Sequence, residues 1–169
     1  MYTVRGTKKF LDRVGRPMVD PPSSSTVLGD WYANALFWRP QVALFVNATT
    51  FVPVLIPLAP ASGVVARFPT SMAEVLGALG IDPRFVDSEV TEMSSAVLAK
   101  TASRQVLGVM NEFTLMAEHT ISTGRSDPAD LLGLSVWLAN TIIGPISKDD
   151  GHTPLGVLQR VVATVLPDN

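Results

Sequence analysis

The chain has 169 residues, with 13 Lys and Arg against 15 Asp and Glu, a formal net charge of −2 and no cysteine. That length accommodates one domain with a sizeable core. The missing cysteines exclude disulfides, thiolate nucleophiles and thiolate zinc sites, and the charge excludes a global pull toward nucleic acid or an acidic membrane. Charged residues make up only 17% of the chain and the mean hydropathy is +0.29. Such a composition goes with a large buried core or with an apolar surface covered by a partner.

Residues 2–4 read as a short strand, and Thr7 as the cap of a helix through Phe10, Leu11 and Val14 that Gly15 ends. Residues 16–27, with Pro17, Pro21, Pro22 and three consecutive serines, read as a mobile loop. Strand formers dominate 31–38, 42–47 and 51–58, with hairpin-length joints between them. The last two lack clean polar–apolar alternation, so both of their faces are expected to be covered. Pro53 and Pro57 share parity, which places their strand at a sheet edge or beside a bulge. The same apolar stretch is broken by Asn47, Thr49, Thr50 and the two prolines, which excludes a simple spanning helix.

From Pro69 onward the periodicity turns helical. Ser71 and Glu74 have capping-box spacing, and Gly80 sits at a stop position. Asp82-Pro83 opens a second helix with the stripe Val86, Val90, Met93 and Val97. A third follows Thr101 or Ser103 through Val106, Met110, Phe113 and Ala117. A fourth starts at Ser126-Asp127-Pro128 and runs through Leu131, Leu134 and Leu138. After a loop at 145–153, Thr153-Pro154 starts the last. Strands first and helices afterwards predict a single α+β domain over 1–169: an N-terminal antiparallel β-meander of three to four strands packed with about five C-terminal helices.

Four stretches in combination carry a resemblance: Thr7-Lys8-Lys9, Gly29-Asp30-Trp31-Tyr32-Ala33-Asn34, Leu44-Phe45-Val46-Asn47, and the segment 100–113 with its Lys100, Arg104, Asn111, Glu112 and Phe113. The chain resembles a family of small bacterial proteins known only as a domain of unknown function, related to domains joined to plasmid-encoded open-reading-frame proteins. The resemblance spans about residues 2–144. It implies a bacterial, cytoplasmic domain with a shared polar cluster, and it implies no reaction.

Candidate site residues fall into three sets. Lys100, Arg104, Asn111 and Glu112 lie on an otherwise apolar helical stretch. Arg104 and Asn111, seven apart, share a helix face, and a cation, a guanidinium and an amide together suit phosphate or carboxylate. The competing reading is a clamp in which Arg104 pairs with Asp30 or Glu112 and ties the helix to the sheet. Asp30, Trp31, Asn34 and Asn47 flank the strands, either lining a ligand-facing sheet or serving as turn residues. Arg5, Lys8, Lys9, Arg13 and Arg16 form an N-terminal cationic set, either phosphate contacts or a solvated face.

His119 and His152 have no companions at ligand spacing, so no metal is expected. Glu89 and Glu92, three apart, read as a solvated helix face. Walker, nucleophile-elbow and dinucleotide-binding glycine motifs are missing, and no cofactor is expected. The leading expectation is a non-enzymatic binding or regulatory module, cytoplasmic, acting through a protein partner or as a homo-oligomer, in a plasmid-borne or defence-type setting. An enzyme using the Lys/Arg/Asn cluster on a phosphate-bearing substrate is the alternative, and a weak nucleic-acid-binding domain is the third. No membrane partner or secretory signal is expected.

Overall fold

The computed structural model describes residues 1–167. In chain order its strands are β1 (Tyr2–Gly6), β2 (Trp31–Leu36), β3 (Val42–Asn47), β4 (Pro53–Pro57) and β5 (Ala96–Lys100). Its helices are α1 (Lys8–Val14), α2 (Val64–Ala78), α3 (Pro83–Glu92), α4 (Arg104–Ser122), α5 (Leu131–Ala139) and α6 (Pro154–Val165). The class is α+β, but the sheet is mixed. Its order is β4-β3-β2-β1-β5, with β2, β3 and β4 antiparallel and β1 parallel to both β2 and β5.

The expected meander is therefore only the β2–β4 part of the sheet. β5 is a correction. Val97 continues the apolar spacing of α3, which reads as one more helical turn, yet α3 stops at Glu92 and Val97 lies in a strand. What decides this is the vacant side of β1, which β5 pairs over five residues from Tyr2↔Ala96 to Gly6↔Lys100. Because β5 runs parallel to β1 on the far side from β4, α2 and α3 make the crossover between them.

Strand parity sorts the core into two layers. Tyr2, Val4, Trp31, Ala33, Phe45, Val54 and Ile56 face Phe10 of α1, Phe68 and Met72 of α2, and Phe85 of α3. Phe45 and Phe68 stack there at 4.1 Å between ring centroids. Tyr32, Leu36, Leu44, Val46 and Leu55 face Val106, Met110 and Phe113 of α4 and Leu134 and Leu138 of α5. α6 serves both layers, with Leu158 in the first and Val157 in the second. Every residue of β3 is buried. The apolar run that invited a partner copy is thus covered by helices of its own chain.

α2 begins at Val64, not after Pro69, and Ser71 and Glu74 lie inside it rather than at a cap. A proline in a helix interior leaves the carbonyl four residues back without its amide donor. That carbonyl belongs to Val65, and the buried Tyr2 hydroxyl donates to it at 3.2 Å. Burial raises the Tyr2 pKa well above its ordinary value, so the phenol remains a donor. The other caps follow their sequence signals. Thr7, Asp82, Ser103 and Thr153 each accept a first-turn N–H. α5 starts later than the Ser126 signal, at Leu131, with Asp130 accepting from Gly133.

Residues 16–27 form no helix or strand, as expected, but they are tied down. Met18 N–H donates to the Leu98 carbonyl of β5, Thr3 N–H donates to Ser24 Oγ, and Ser25 N–H donates to the Met1 carbonyl. The segment leaves α1 on one face of the sheet, passes the outer edge of β5, and reaches Thr3 on the opposite face. The expected loop at 145–153 contains a 3-10 turn, Lys148–Asp150. No helix among the described residues is long and apolar enough to cross a membrane.

Candidate functional site

The second candidate set resolves into structural bonds. Asn47, fully buried at the end of β3, is a hub. Its amide donates to the Leu28 and Asp30 carbonyls, and its carbonyl accepts from Thr49 N–H, Thr50 N–H and the Thr50 hydroxyl. Asp30 accepts from Arg5 Nε at 2.8 Å and from the Ser24 hydroxyl at 2.7 Å. Arg5 also donates to the Lys100 carbonyl, so this pair ties β1, β5 and the loop before β2 together. Asn34 accepts from the hydroxyl of Thr7, which caps α1. Trp31 is buried against Phe68 in the core.

The first set does not form one face. Lys100 ends β5, whereas Arg104, Asn111 and Glu112 are on α4 and exposed. The clamp reading is corrected: Asp30 pairs with Arg5, and Arg104 has no ion pair among the described residues. The helix is tied to the sheet elsewhere, by Ser103 N–H donating to the Tyr32 hydroxyl. The opposite correction applies to Glu89, which is 1% exposed rather than solvated. Its carboxylate accepts from Val27 and Leu28 N–H at 2.6 and 3.2 Å. Burial raises its pKa, and those two bonds counter only part of that shift. The signal missed was the run of loop amides at 27–28, which need an acceptor on the helix passing beneath them.

Most cations of the third set have partners. Lys8 pairs with Asp12, Arg13 donates to Gln41, and Lys9 sits over the Phe37 ring. Around them the fold builds a cleft of about 890 Å³ beside α1, at the C-terminal ends of β1 and β5. Leu11, Val14 and Pro17 supply its apolar lining, and Lys8, Arg13, Arg16 and Lys100 supply its cations. Lys100 comes from β5 and the other three from α1 and the segment after it, so residues some 90 positions apart in sequence converge. The Arg16 and Lys100 side chains have no hydrogen-bond or ion-pair partner among the described residues. Gly6 forms the floor where strand turns into helix. A Cβ there would lie 2.8 Å from the Phe10 ring and 2.9 Å from the Leu11 side chain, so a larger residue fits only if those side chains shift.

A smaller cavity of about 430 Å³ adjoins this cleft and shares Pro17, Lys100 and Thr101 with it. It is bordered by Arg5 and by residues 17–21, where Met18 is 51% and Val19 85% exposed. Neither histidine lines either cavity. His119 lies in the last turn of α4, and a His152 ring nitrogen bonds the Ile146 carbonyl at 2.8 Å. No cluster of three metal-ligating side chains occurs among the described residues. The cleft is thus an open, cationic, part-apolar recess on the side of a parallel strand pair where α/β sheets commonly bind ligands. Its described lining holds four cations and one carboxylate, a balance that suits an anion.

The family model described as domain of unknown function DUF6933 matches residues 3–155. The chain belongs to that family. No curated protein matches it, and no solved structure does.

Proposed function

We propose that the protein is a non-enzymatic binding module whose principal site is the cleft between α1 and the end of β5, and whose ligand presents an anionic group to Arg16 and Lys100. The observation that carries this reading is the convergence of two unpaired cations from distant parts of the chain on one cleft. Unpaired surface cations are ordinary singly. Two that meet over an apolar recess have a common use in holding a carboxylate or phosphate. Binding is favoured over catalysis because the one carboxylate lining the cleft among the described residues, Asp12, is engaged by Lys8 at 2.6 Å. A nucleic-acid role is disfavoured because Arg5, Lys8, Lys9 and Arg13 are each engaged within the chain, which leaves no continuous row of free cations. The cytoplasmic, bacterial and plasmid-linked setting belongs to the same proposal and rests on the family resemblance alone.

Titration with inorganic pyrophosphate, followed by amide chemical shifts, tests the reading. Shifts are expected at residues 11–17 and 98–101, with affinity that weakens as salt is added. In the Arg16→Glu/Lys100→Glu variant the affinity is expected to fall by roughly tenfold or more, the sum of two modest charge contacts. Equal binding by variant and wild type would remove the cleft as the site, and no binding by either would remove the proposal.

A further inference from the structure

We infer that the occupant of the cleft is an extended acidic segment of a partner protein, with apolar side chains interspersed, that crosses Lys100 from the α1 cleft into the adjoining cavity. This rests on the reading of the cleft as an anion site and says what carries the anion.

Three observations lead there. First, the two cavities are joined end to end at Pro17, Lys100 and Thr101, with volumes of about 890 and 430 Å³. The first alone fits a drug-sized ligand. Together they form a trough that suits a chain better than an ion. Second, cations and apolar side chains alternate along it. Arg16 lines the α1 side, Lys100 lines both cavities, and the far cavity is bordered by Arg5, Asp20 and the exposed Met18 and Val19. Acidic residues interspersed with apolar ones complement that mixture, with an apolar residue opposite Met18 and Val19.

Third, the trough meets an unfinished sheet edge at Lys100, which lines both cavities. The Leu98 carbonyl is engaged by Met18 and the Lys100 carbonyl by Arg5. The N–H groups of Leu98 and Lys100 point to the same side as those carbonyls and have no partner among the described residues. An extended main chain in the trough can accept from the Lys100 N–H, as strands added to sheet edges do. A free phosphate or small carboxylate would use the cations and leave Met18, Val19 and the edge amides unused.

The test is fluorescence anisotropy with a short labelled peptide of alternating glutamate and leucine, run beside glutamate–serine and lysine–leucine peptides and inorganic pyrophosphate. The glutamate–leucine peptide is expected to bind roughly tenfold tighter than glutamate–serine, from burial of apolar area against Met18 and Val19, and the lysine–leucine peptide is expected not to bind. Met18→Ser/Val19→Ser is expected to weaken the glutamate–leucine peptide to the glutamate–serine level and to leave pyrophosphate unchanged. Both substituted side chains are exposed, and a thermal melt checks that the variant is folded. Arg16→Glu/Lys100→Glu is expected to weaken both ligands. Pyrophosphate binding without glutamate–leucine binding would overturn the peptide inference and leave the anion site standing. Peptide binding that ignores Met18 and Val19, or that tolerates lysine for glutamate, would also overturn it. Failure of every ligand to bind would remove both proposals.

Discussion

At the β4 edge of the sheet every outward N–H is missing or bonded. Pro53 and Pro57 have none, and the one between them, on Leu55, donates to the Ser135 hydroxyl of α5 at 2.9 Å. The Arg67 guanidinium of α2 then closes the end of the strand by donating to the Pro57 and Pro60 carbonyls. At the β5 edge the contacts are sparser. One loop amide and one guanidinium reach the strand, the N–H groups of Leu98 and Lys100 stay unpaired among the described residues, and the side chains of Ala96 and Lys100 are exposed. An unprotected edge invites pairing with other chains, and natural proteins block such edges when nothing is to bind there. The contrast within one sheet separates a sealed edge from an open one.

The largest effect is expected deep in the sealed half. Asn47→Ala removes the hub that satisfies the β3–β4 turn and the loop before β2. It leaves buried Thr50 N–H and Leu28 C=O groups without partners and should cost about 3 kcal/mol. Urea unfolding measures this, and a loss near zero would mean that the turn rearranges freely. Ser135→Ala comes next. It orphans the buried Leu55 amide and should cost about 2 kcal/mol. If the variant stays as stable as wild type but starts to self-associate at the β4 edge, the seal serves solubility rather than stability.

A pH effect tests how the open side is anchored from below. Glu89 holds the amides of 27 and 28, at the far end of the segment that passes β5. Its folded pKa lies above the ordinary 4.5 because it is buried. The native state therefore binds this proton more tightly than the unfolded chain does. Its contribution is full below pH 4.5 and is lost as pH rises through the folded value, so unfolding free energy should decline over that window. Glu89→Gln should flatten that part of the curve. A pH series of urea melts with the same slope in both proteins would assign the slope to other groups. The smallest effects belong to the exposed cations. Arg104→Ala and Lys100→Ala should each change stability by less than about 0.5 kcal/mol. A larger loss for Arg104 would restore the clamp that its exposed position argues against.

What the sequence determined by itself was whatever depends on neighbours along the chain. The caps at Thr7, Asp82, Ser103 and Thr153, the strand 42–47 and the edge placement of the Pro53/Pro57 strand are local matters of donor count, φ restriction and side-chain period. The turn role of Asn47 toward Thr49 and Thr50 was equally local, since short polar side chains reach nearby backbone first, whereas Asp30 bonds Arg5 and Ser24 instead of its own turn. Tertiary structure decided the rest. Val97 and its neighbours keep a spacing compatible with α3, and only the empty side of β1 makes them a strand. Pro69 would end a helix on local grounds, and only the hydroxyl of Tyr2, five elements earlier, takes up the carbonyl it strands. Glu89 looks solvated until a loop some 60 residues upstream lays two amides against it. The cleft was illegible for the same reason: Arg16 and Lys100 meet only because β5 pairs with β1 beside α1, and pairing between distant strands leaves no local trace in either.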